Sequence, residues 1–215
     1  IIHSRPFYVD GTTVSTVYVG ANDGMLHAIN AQNGSERYAY VPSMLIPSLS
    51  SLAPVDPTPY AHTWFVDASP NSAMATISGV SKRILVGGLG AGGKGLYALD
   101  ISADTTAAPA SETAAAAKIL WEITNSTINN AASASYANLG YTYGIPVIAA
   151  VNSSAQSAVI AGNGYMNGGS GTAVLYVIDA GTGALMRAID TGSGSAGSPN
   201  GLSSPTAIDT NNDGK

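Results

Sequence analysis

Tyr18-Val-Gly-Ala-Asn-Asp-Gly-Met-Leu-His-Ala-Ile-Asn30 decides the fold, because the chain writes it three times. The second copy is Leu85-Val-Gly-Gly-Leu-Gly-Ala-Gly-Gly-Lys-Gly-Leu-Tyr-Ala-Leu-Asp100. The third runs from Ile160-Ala-Gly-Asn-Gly-Tyr165 to Val174-Leu-Tyr-Val-Ile-Asp179. Each copy is an apolar strand ending in glycine, a Gly-rich turn, a second apolar strand and a closing Asn or Asp. A repeated unit of this size cannot bury its own apolar face, so it calls for stacked or radial neighbours.

Outward from these copies, short β-branched and aromatic runs bounded by Gly, Asn, Asp and Pro predict strands in sets of four. The first set is Ile1–Val9, Thr16–Gly20, Met25–Ala31 and Arg37–Val41. The second is Ser72–Ile77, Arg83–Gly87, Gly95–Ile101 and Ile119–Thr124. The third is Ile145–Val151, Ser157–Gly162, Thr172–Asp179 and Leu185–Asp190. A fourth opens with Pro205–Asp209. A proline stands at the head of each set (Pro6, Pro70, Pro146, Pro205), where a strand loses no ladder donor. Four strands per repeat joined by tight Gly turns describe a propeller blade. The predicted fold is therefore all-β: a partial, modified β-propeller of four-stranded antiparallel blades with loop and short-helix insertions. Blades are predicted at about 1–42, 64–124 and 141–191, and 203–215 holds the first strand of a further blade and the start of a calcium loop.

The repeats exceed the roughly 40–45 residues of compact blades, and the excess falls in three insertions. Pro42–His62 carries Met44, Leu45, Ile46, Leu49 and Leu52 at near-helical spacing and predicts a short helix on the blade edge. Ser102–Lys118 and Asn125–Gly140 read as surface loops. Three blades and one strand cannot close a ring of roughly 4–8 blades. Together with the abrupt start at Ile1 and the stop at Lys215 inside a motif, this reads as part of a longer protein.

Composition narrows the function. Charged residues are 10% of the 215, against roughly 25% in typical soluble domains, while Ser, Thr, Asn, Gly and Ala fill the gap. This surface, polar but weakly charged, suits a secreted or cell-surface protein. The net charge is −5 with no Lys/Arg cluster, which argues against a nucleic-acid groove or an anionic-membrane patch. Cysteine is absent, so neither disulfides nor thiolate chemistry contribute. No apolar run is long enough to span a bilayer, and no signal peptide is visible.

The strongest chemical motif is Asp209-Thr-Asn-Asn-Asp-Gly-Lys215. It matches the opening of an EF-hand-type loop, with Asp209, Asn211 and Asp213 at positions 1, 3 and 5 and the Lys215 carbonyl at position 7. Gly214 permits the sharp turn that lets these hard oxygens converge on Ca2+. The bland alternative is an Asx-rich turn. Gly88-Leu-Gly-Ala-Gly-Gly-Lys-Gly95 fits two phosphate-loop patterns, but both need a following helix, and Leu96–Ile101 has a strand pattern. His3, His27 and His62 are scattered; His27 is expected to serve blade packing, since no second ligand lies at metal spacing. Trp64 and Trp121 are expected in the core or at blade edges. Tyr136, Tyr141, Tyr143 and Tyr165 cluster near loops and are candidates for a contact surface.

Several phrases go beyond a generic propeller. Val17–Asn30, Trp64-Phe-Val-Asp-Ala-Ser-Pro70, Arg83–Asp100, Leu139-Gly-Tyr-Thr-Tyr-Gly-Ile-Pro146, Gly162-Asn-Gly-Tyr165 and Asn200-Gly-Leu-Ser-Ser-Pro-Thr-Ala-Ile-Asp209 resemble, in family order, signatures of the PilY/PilC family. These are type IV pilus tip-associated adhesin and biogenesis proteins. The resemblance implies a non-enzymatic propeller exposed at the pilus tip or cell surface of a Gram-negative bacterium, reached through the periplasm or outer membrane. It also implies pilus assembly against retraction, surface adhesion and twitching motility, with minor pilins of the tip and host or abiotic surfaces as partners. A calcium site in the D-x-[DN]-x-[DN]-G loop falls on Asp209, Asn211 and Asp213. No Arg-Gly-Asp tripeptide is present. Two other readings stand beside this one: a quinoprotein-like dehydrogenase, whose blades use similar Gly-x-Leu-Tyr-Ala-Asp phrases, and a purely structural scaffold.

Overall fold

Each of the three sheets is laid down by one uninterrupted stretch of chain. The protein is seen here as a computed structural model that describes residues 2–53, 59, 61–125, 135–211 and 213–214. β1 (Phe7–Val9), β2 (Thr16–Gly20), β3 (Leu26–Asn30) and β4 (Glu36–Tyr40) pair in sequence order as an antiparallel meander. β5 (Asn71–Ile77), β6 (Val80–Gly88), β7 (Gly95–Asp100) and β8 (Ile119–Thr124) repeat it, as do β9 (Val147–Ala150), β10 (Ser157–Gly162), β11 (Thr172–Asp179) and β12 (Leu185–Gly194). Local order of this kind follows from short hairpin connections. Between β5 and β6 only Ser78 and Gly79 intervene, at φ 51° and 77°. Two positive φ values are the signature of the tight turn whose twist matches the strands it joins. That turn starts β6 at Val80, three residues before the predicted Arg83.

Opposite faces of one sheet serve different cores. In the second sheet, Ile84, Val86, Leu96 and Ala98 face the third sheet and meet Val159, Ala161, Val174, Tyr176 and Ile178. Their neighbours Leu85, Tyr97, Leu99 and Ile101 face the first sheet and meet Tyr18, Leu26 and Ala28. The period of two sends successive side chains to alternate faces, so a sheet buried on both sides reads as a continuous apolar run, as in Ile84–Val86. Cutting one such residue back, as in Leu85→Ala, costs about 2–5 kcal/mol. The sheets approach one another through their first strands, β1 to β5 and β5 to β9, the radial arrangement of propeller blades.

A backbone seam ties neighbouring first strands at the head prolines. The Arg5 N–H donates to Ser69 Oγ at 2.8 Å, and the Ile145 N–H donates to Ser204 Oγ at 2.9 Å. Arg5, Ser69, Ile145 and Ser204 each precede one of the four prolines, so Ser204-Pro205 occupies the position that opens a blade. The segment Pro205–Asp209, predicted as a strand, forms no ladder. A strand exists through its partner, and among the described residues nothing pairs with it.

The insertions depart most from expectation. Ser43–Leu52 is helical but of 3-10 type, with Pro47 inside it and Leu45 buried; proline supplies no N–H to an α-helical ladder. Ser102–Lys118 contains a 3-10 turn (Ser102–Thr105) and α1 (Glu112–Ala116), capped where Ser111 Oγ accepts the Ala114 N–H at 3.2 Å. It is not merely a surface loop, because Asp104 is only 1% exposed. The Asp104 carboxylate pairs with Lys118 and accepts hydroxyls from Tyr18, at 2.6 Å, and from Tyr38. Burial, reinforced by the Asp104 charge, pushes the Tyr18 phenol well above its ordinary range. The insertion thus clamps the first blade to the second. In the third insertion, residues 126–134 lie outside the described residues. Its last turn is core rather than loop surface: Tyr136 and Leu139 are fully buried, and the Tyr136 hydroxyl donates to the Gly183 carbonyl at 2.9 Å.

Candidate functional site

The Asp209 loop is preorganised by its own backbone. Asp209 carboxylate oxygens accept the Asn211 N–H at 3.2 Å and the Gly214 N–H at 2.7 Å. Gly214 sits at φ +81°, a left-handed conformation that glycine adopts without strain. The Asn211 amide donates to Asp213 Oδ2 at 3.0 Å. Three side chains spaced two residues apart are therefore gathered on one exposed turn, and their oxygens are the hard donors that calcium prefers. The donor set and the Gly214 turn fit the ion. Binding it requires the Asn211 amide to present oxygen instead of N–H. Lys215, the predicted carbonyl ligand, lies outside the described residues. Asp209 stands four residues after Pro205, as Asp10 does after Pro6. By that register the loop belongs to the rim that carries the connection between first and second strands.

The glycine-rich loop Gly88–Gly95 is filled from within the protein. Thr142, from the segment linking the second and third blades, inserts its side chain: Oγ1 accepts the Leu89 N–H at 2.8 Å and donates to the Gly95 carbonyl at 2.7 Å. The Thr142 carbonyl accepts the Gly90 N–H at 3.2 Å. A Cβ on Gly88 would stand 2.5 Å from that carbonyl. These glycines make room for a protein plug, and β7 follows where a phosphate loop needs a helix. Asn163 does comparable work in the third blade, where its Oδ1 accepts the Val174 and Leu202 N–H groups. Sequence reading missed both plugs; Asn163 is visible only as part of Gly-Asn-Gly.

Two of the histidines, His3 and His27, pair with carboxylates. His27, expected to serve blade packing, lies between two carboxylates: Nδ1 is 2.5 Å from Glu36 and Nε2 is 2.9 Å from Asp23. Burial opposes its charge, but the bond to Glu36 and the charge of Asp23 outweigh that and raise its pKa above the ordinary 6.5. His3 lies 2.8 Å from Asp67, and His62 stacks edge-on against Trp64 at 5.1 Å. No group of three His, Cys, Asp or Glu side chains converges on a metal position among the described residues.

The aromatics divide between core and surface. Trp121 is in the core, its indole N–H donating to the Ala180 carbonyl at 3.0 Å. Trp64, predicted alongside it, is 43% exposed. Tyr136, predicted with the loop tyrosines, is buried, and burial pushes its phenol upward. Tyr143 and Tyr165 are exposed. Tyr141 and Tyr165 form an antiparallel bridge with N–H to carbonyl distances of 2.7 and 3.0 Å. Lys94 lies 5.5 Å from the centre of the Tyr141 ring. Trp64, Lys94 and Tyr141 line a cleft of about 510 Å³. Tyr143 and Tyr165 line a second of about 300 Å³.

The chain is 38% identical over 198 residues to the type IV pilus biogenesis factor PilY1 of Pseudomonas aeruginosa (strain UCBPP-PA14), covering 92% of this chain and 15% of that protein. It is 34% identical over 213 residues to a PilY1 homolog of Xylella fastidiosa (strain Temecula1), covering 95% of this chain and 13% of that protein. The crystal structure of the P. aeruginosa PilY1 C-terminal domain superposes with a TM-score of 0.71 at 36% identity, covering 94% of this chain and 35% of that one. The chain thus spans a small part of its relatives' length. Residues 6–215 match the PilY1 beta-propeller domain, and the chain belongs to that family.

Proposed function

We propose that this propeller segment works in a type IV pilus biogenesis factor at the cell surface of a Gram-negative bacterium, without an enzymatic step. It would promote pilus extension and stability, attachment and twitching motility. The observation that carries the reading is the 38% identity to PilY1 along nearly the whole chain, joined to a shared blade geometry. In the same reading the segment sits at the pilus tip, contacts minor pilins there, and meets host or abiotic surfaces. The relatives' names support the non-enzymatic assignment, being those of biogenesis factors.

Within this reading Asp209, Asn211, Asp213 and the Lys215 carbonyl hold Ca2+. The ion would neutralise two clustered carboxylates and stiffen the turn. Its occupancy shifts partner affinity only if the bound and free states differ in that affinity. Two experiments separate these claims. Deleting residues 6–215 from the intact protein should abolish surface pili, counted by electron microscopy; undiminished piliation would remove the biogenesis role. Calorimetric titration of Asp209→Ala and Asp213→Ala in the intact protein should show lost or strongly weakened calcium binding, and unchanged affinity would remove the assigned site.

A further inference from the structure

We propose that the rim carrying Trp64, Tyr141, Tyr143 and Tyr165 binds a neutral, β-linked oligosaccharide. The inference adds a ligand class to the adhesive reading above and rests on it for biological purpose alone, since binding is measured independently of pili.

The backbone beneath the rings is tied together. Tyr141 and Tyr165 face each other in an antiparallel bridge, so their side chains leave the backbone side by side. The two backbones lie in close contact: a Cβ on Gly140 would stand 2.3 Å from the Tyr165 carbonyl and one on Gly164 2.2 Å from the Tyr141 carbonyl. The Lys94 ammonium ties a third segment to the row, donating to the Met166 carbonyl at 2.6 Å beside the Tyr141 ring. A ring row held this way loses little freedom when a ligand lands on it.

The rings themselves are open to solvent. Trp64, Tyr143 and Tyr165 are 43, 53 and 63% exposed. Tyr18, Tyr97, Tyr136 and Tyr176 are completely buried, whereas these three rings lie at the surface of the described residues. They stand as platforms rather than as walls of a deep desolvated pocket, which is what an apolar peptide anchor needs. The first cleft is lined by Met44 and Leu45 from the first insertion, by Trp64 and by the Gly92–Lys94 turn of the second blade.

Uncharged polar groups lie between the rings. Ser48, Thr63, Thr124 and Asn125 line the first cleft with the Gly92–Gly93 backbone, and Asn200 and Ser203 line the second. Among the described residues no carboxylate lines either cleft, and the lysine there, Lys94, donates to a carbonyl beside a ring. A cationic ligand finds no counter-charge among the described lining residues, and an anionic one finds a single lysine whose ammonium is already engaged. A neutral ligand with a C–H face and a hydroxyl edge finds both of its complements. Equatorially linked sugars make a flat ribbon whose C–H faces lie on successive rings while hydroxyls reach the amides and hydroxyls alongside. Both clefts fall within or near the 300–1,000 Å³ of small-ligand sites.

The test uses the intact protein labelled with 5-fluorotryptophan, titrated with cellohexaose and chitohexaose. The Trp64 and Trp121 fluorine signals are assigned by their loss in Trp64→Phe and Trp121→Phe. With at least one sugar the Trp64 signal should shift saturably below about 10 mM, in the weak-binding range, while that of buried Trp121 stays put. Tyr165→Ala should weaken binding at least tenfold with an unchanged melting temperature, and Trp64→Ala should do the same by calorimetry. No saturable shift with either sugar would overturn the proposal. So would undiminished binding by both variants. Saturable binding of an unfolded polypeptide, carboxymethylated α-lactalbumin, with no response to sugar would reassign the rim to protein docking. A Trp64→Ala strain that still assembles pili but loses sugar binding leaves the biogenesis reading intact.

Discussion

Replacing Lys118 by methionine tests whether the Ser102–Lys118 insertion clamps two blades or merely covers them. The Lys118 and Asp104 side chains are 9% and 1% exposed. The substitution keeps most of the apolar stem and removes the charge, leaving a carboxylate in the interior without its counter-ion. Breaking a buried pair from one side costs about 3–5 kcal/mol. Part of that is offset here, because Asp104 keeps the Tyr18 and Tyr38 hydroxyls, and Arg37 stays close by, donating to the Asp104 carbonyl at 2.6 Å. The expectation is therefore the lower end, about 3 kcal/mol, or a fall of about 6–12 °C in melting temperature for a domain of this size. Asp104→Asn combined with Lys118→Met removes both charges but keeps an acceptor for the tyrosines, and should recover at least half of the loss. Calorimetric melting of the three proteins decides. A Lys118→Met protein within about 1 kcal/mol of the parent, or a double variant no better than the single, would refute the clamp.

Other expectations are as direct. His27 gains affinity for its proton on folding, so its contribution is fully present below pH 6.5 and disappears as pH rises through the higher folded value. His27→Gln should flatten that dependence in urea midpoints measured at about pH 5.5 and 8.5. Thr142→Val is nearly isosteric but strands the Leu89 N–H and the Gly95 carbonyl, at a cost of about 1–3 kcal/mol. Gly88→Ala forces a methyl against the Thr142 carbonyl, and a similar loss is expected from overpacking; thermal melts of both variants check the plug. Calcium at a hundredfold excess over its Kd should stabilise the intact protein by about 2.7 kcal/mol. The same melts with chelator, or in Asp209→Ala, should lose that increment.

The strand pattern was legible because its causes are local. Gly24 at φ +98°, the apolar runs either side of it and the head prolines act within a few residues, and the three copies reveal one another. The turn at Asp209 was legible for the same reason, since its carboxylate accepts N–H groups only two and five residues on. Trp64 and Tyr136 were harder. Both are aromatics in linking segments, yet one stands 43% exposed and the other is fully buried. Nothing in their neighbours announces the difference, because the Gly183 carbonyl that Tyr136 reaches is 47 residues away. Pro205–Asp209 failed as a strand for a related reason, since pairing belongs to two segments and sequence displays one.

From the chain alone followed four-stranded meanders, their turns and the spacing of a set of hard oxygen donors, all of which depend on contacts between near neighbours. Only the folded molecule decided that Asp104 and Lys118 join two blades, that Thr142 occupies a loop resembling a phosphate cradle, and that Ser69 and Ser204 latch successive blades. Those outcomes turn on which polar groups lose water and which partners, tens of residues distant, then satisfy them. Desolvation is a property of the assembled sheets, and no short window of sequence contains it.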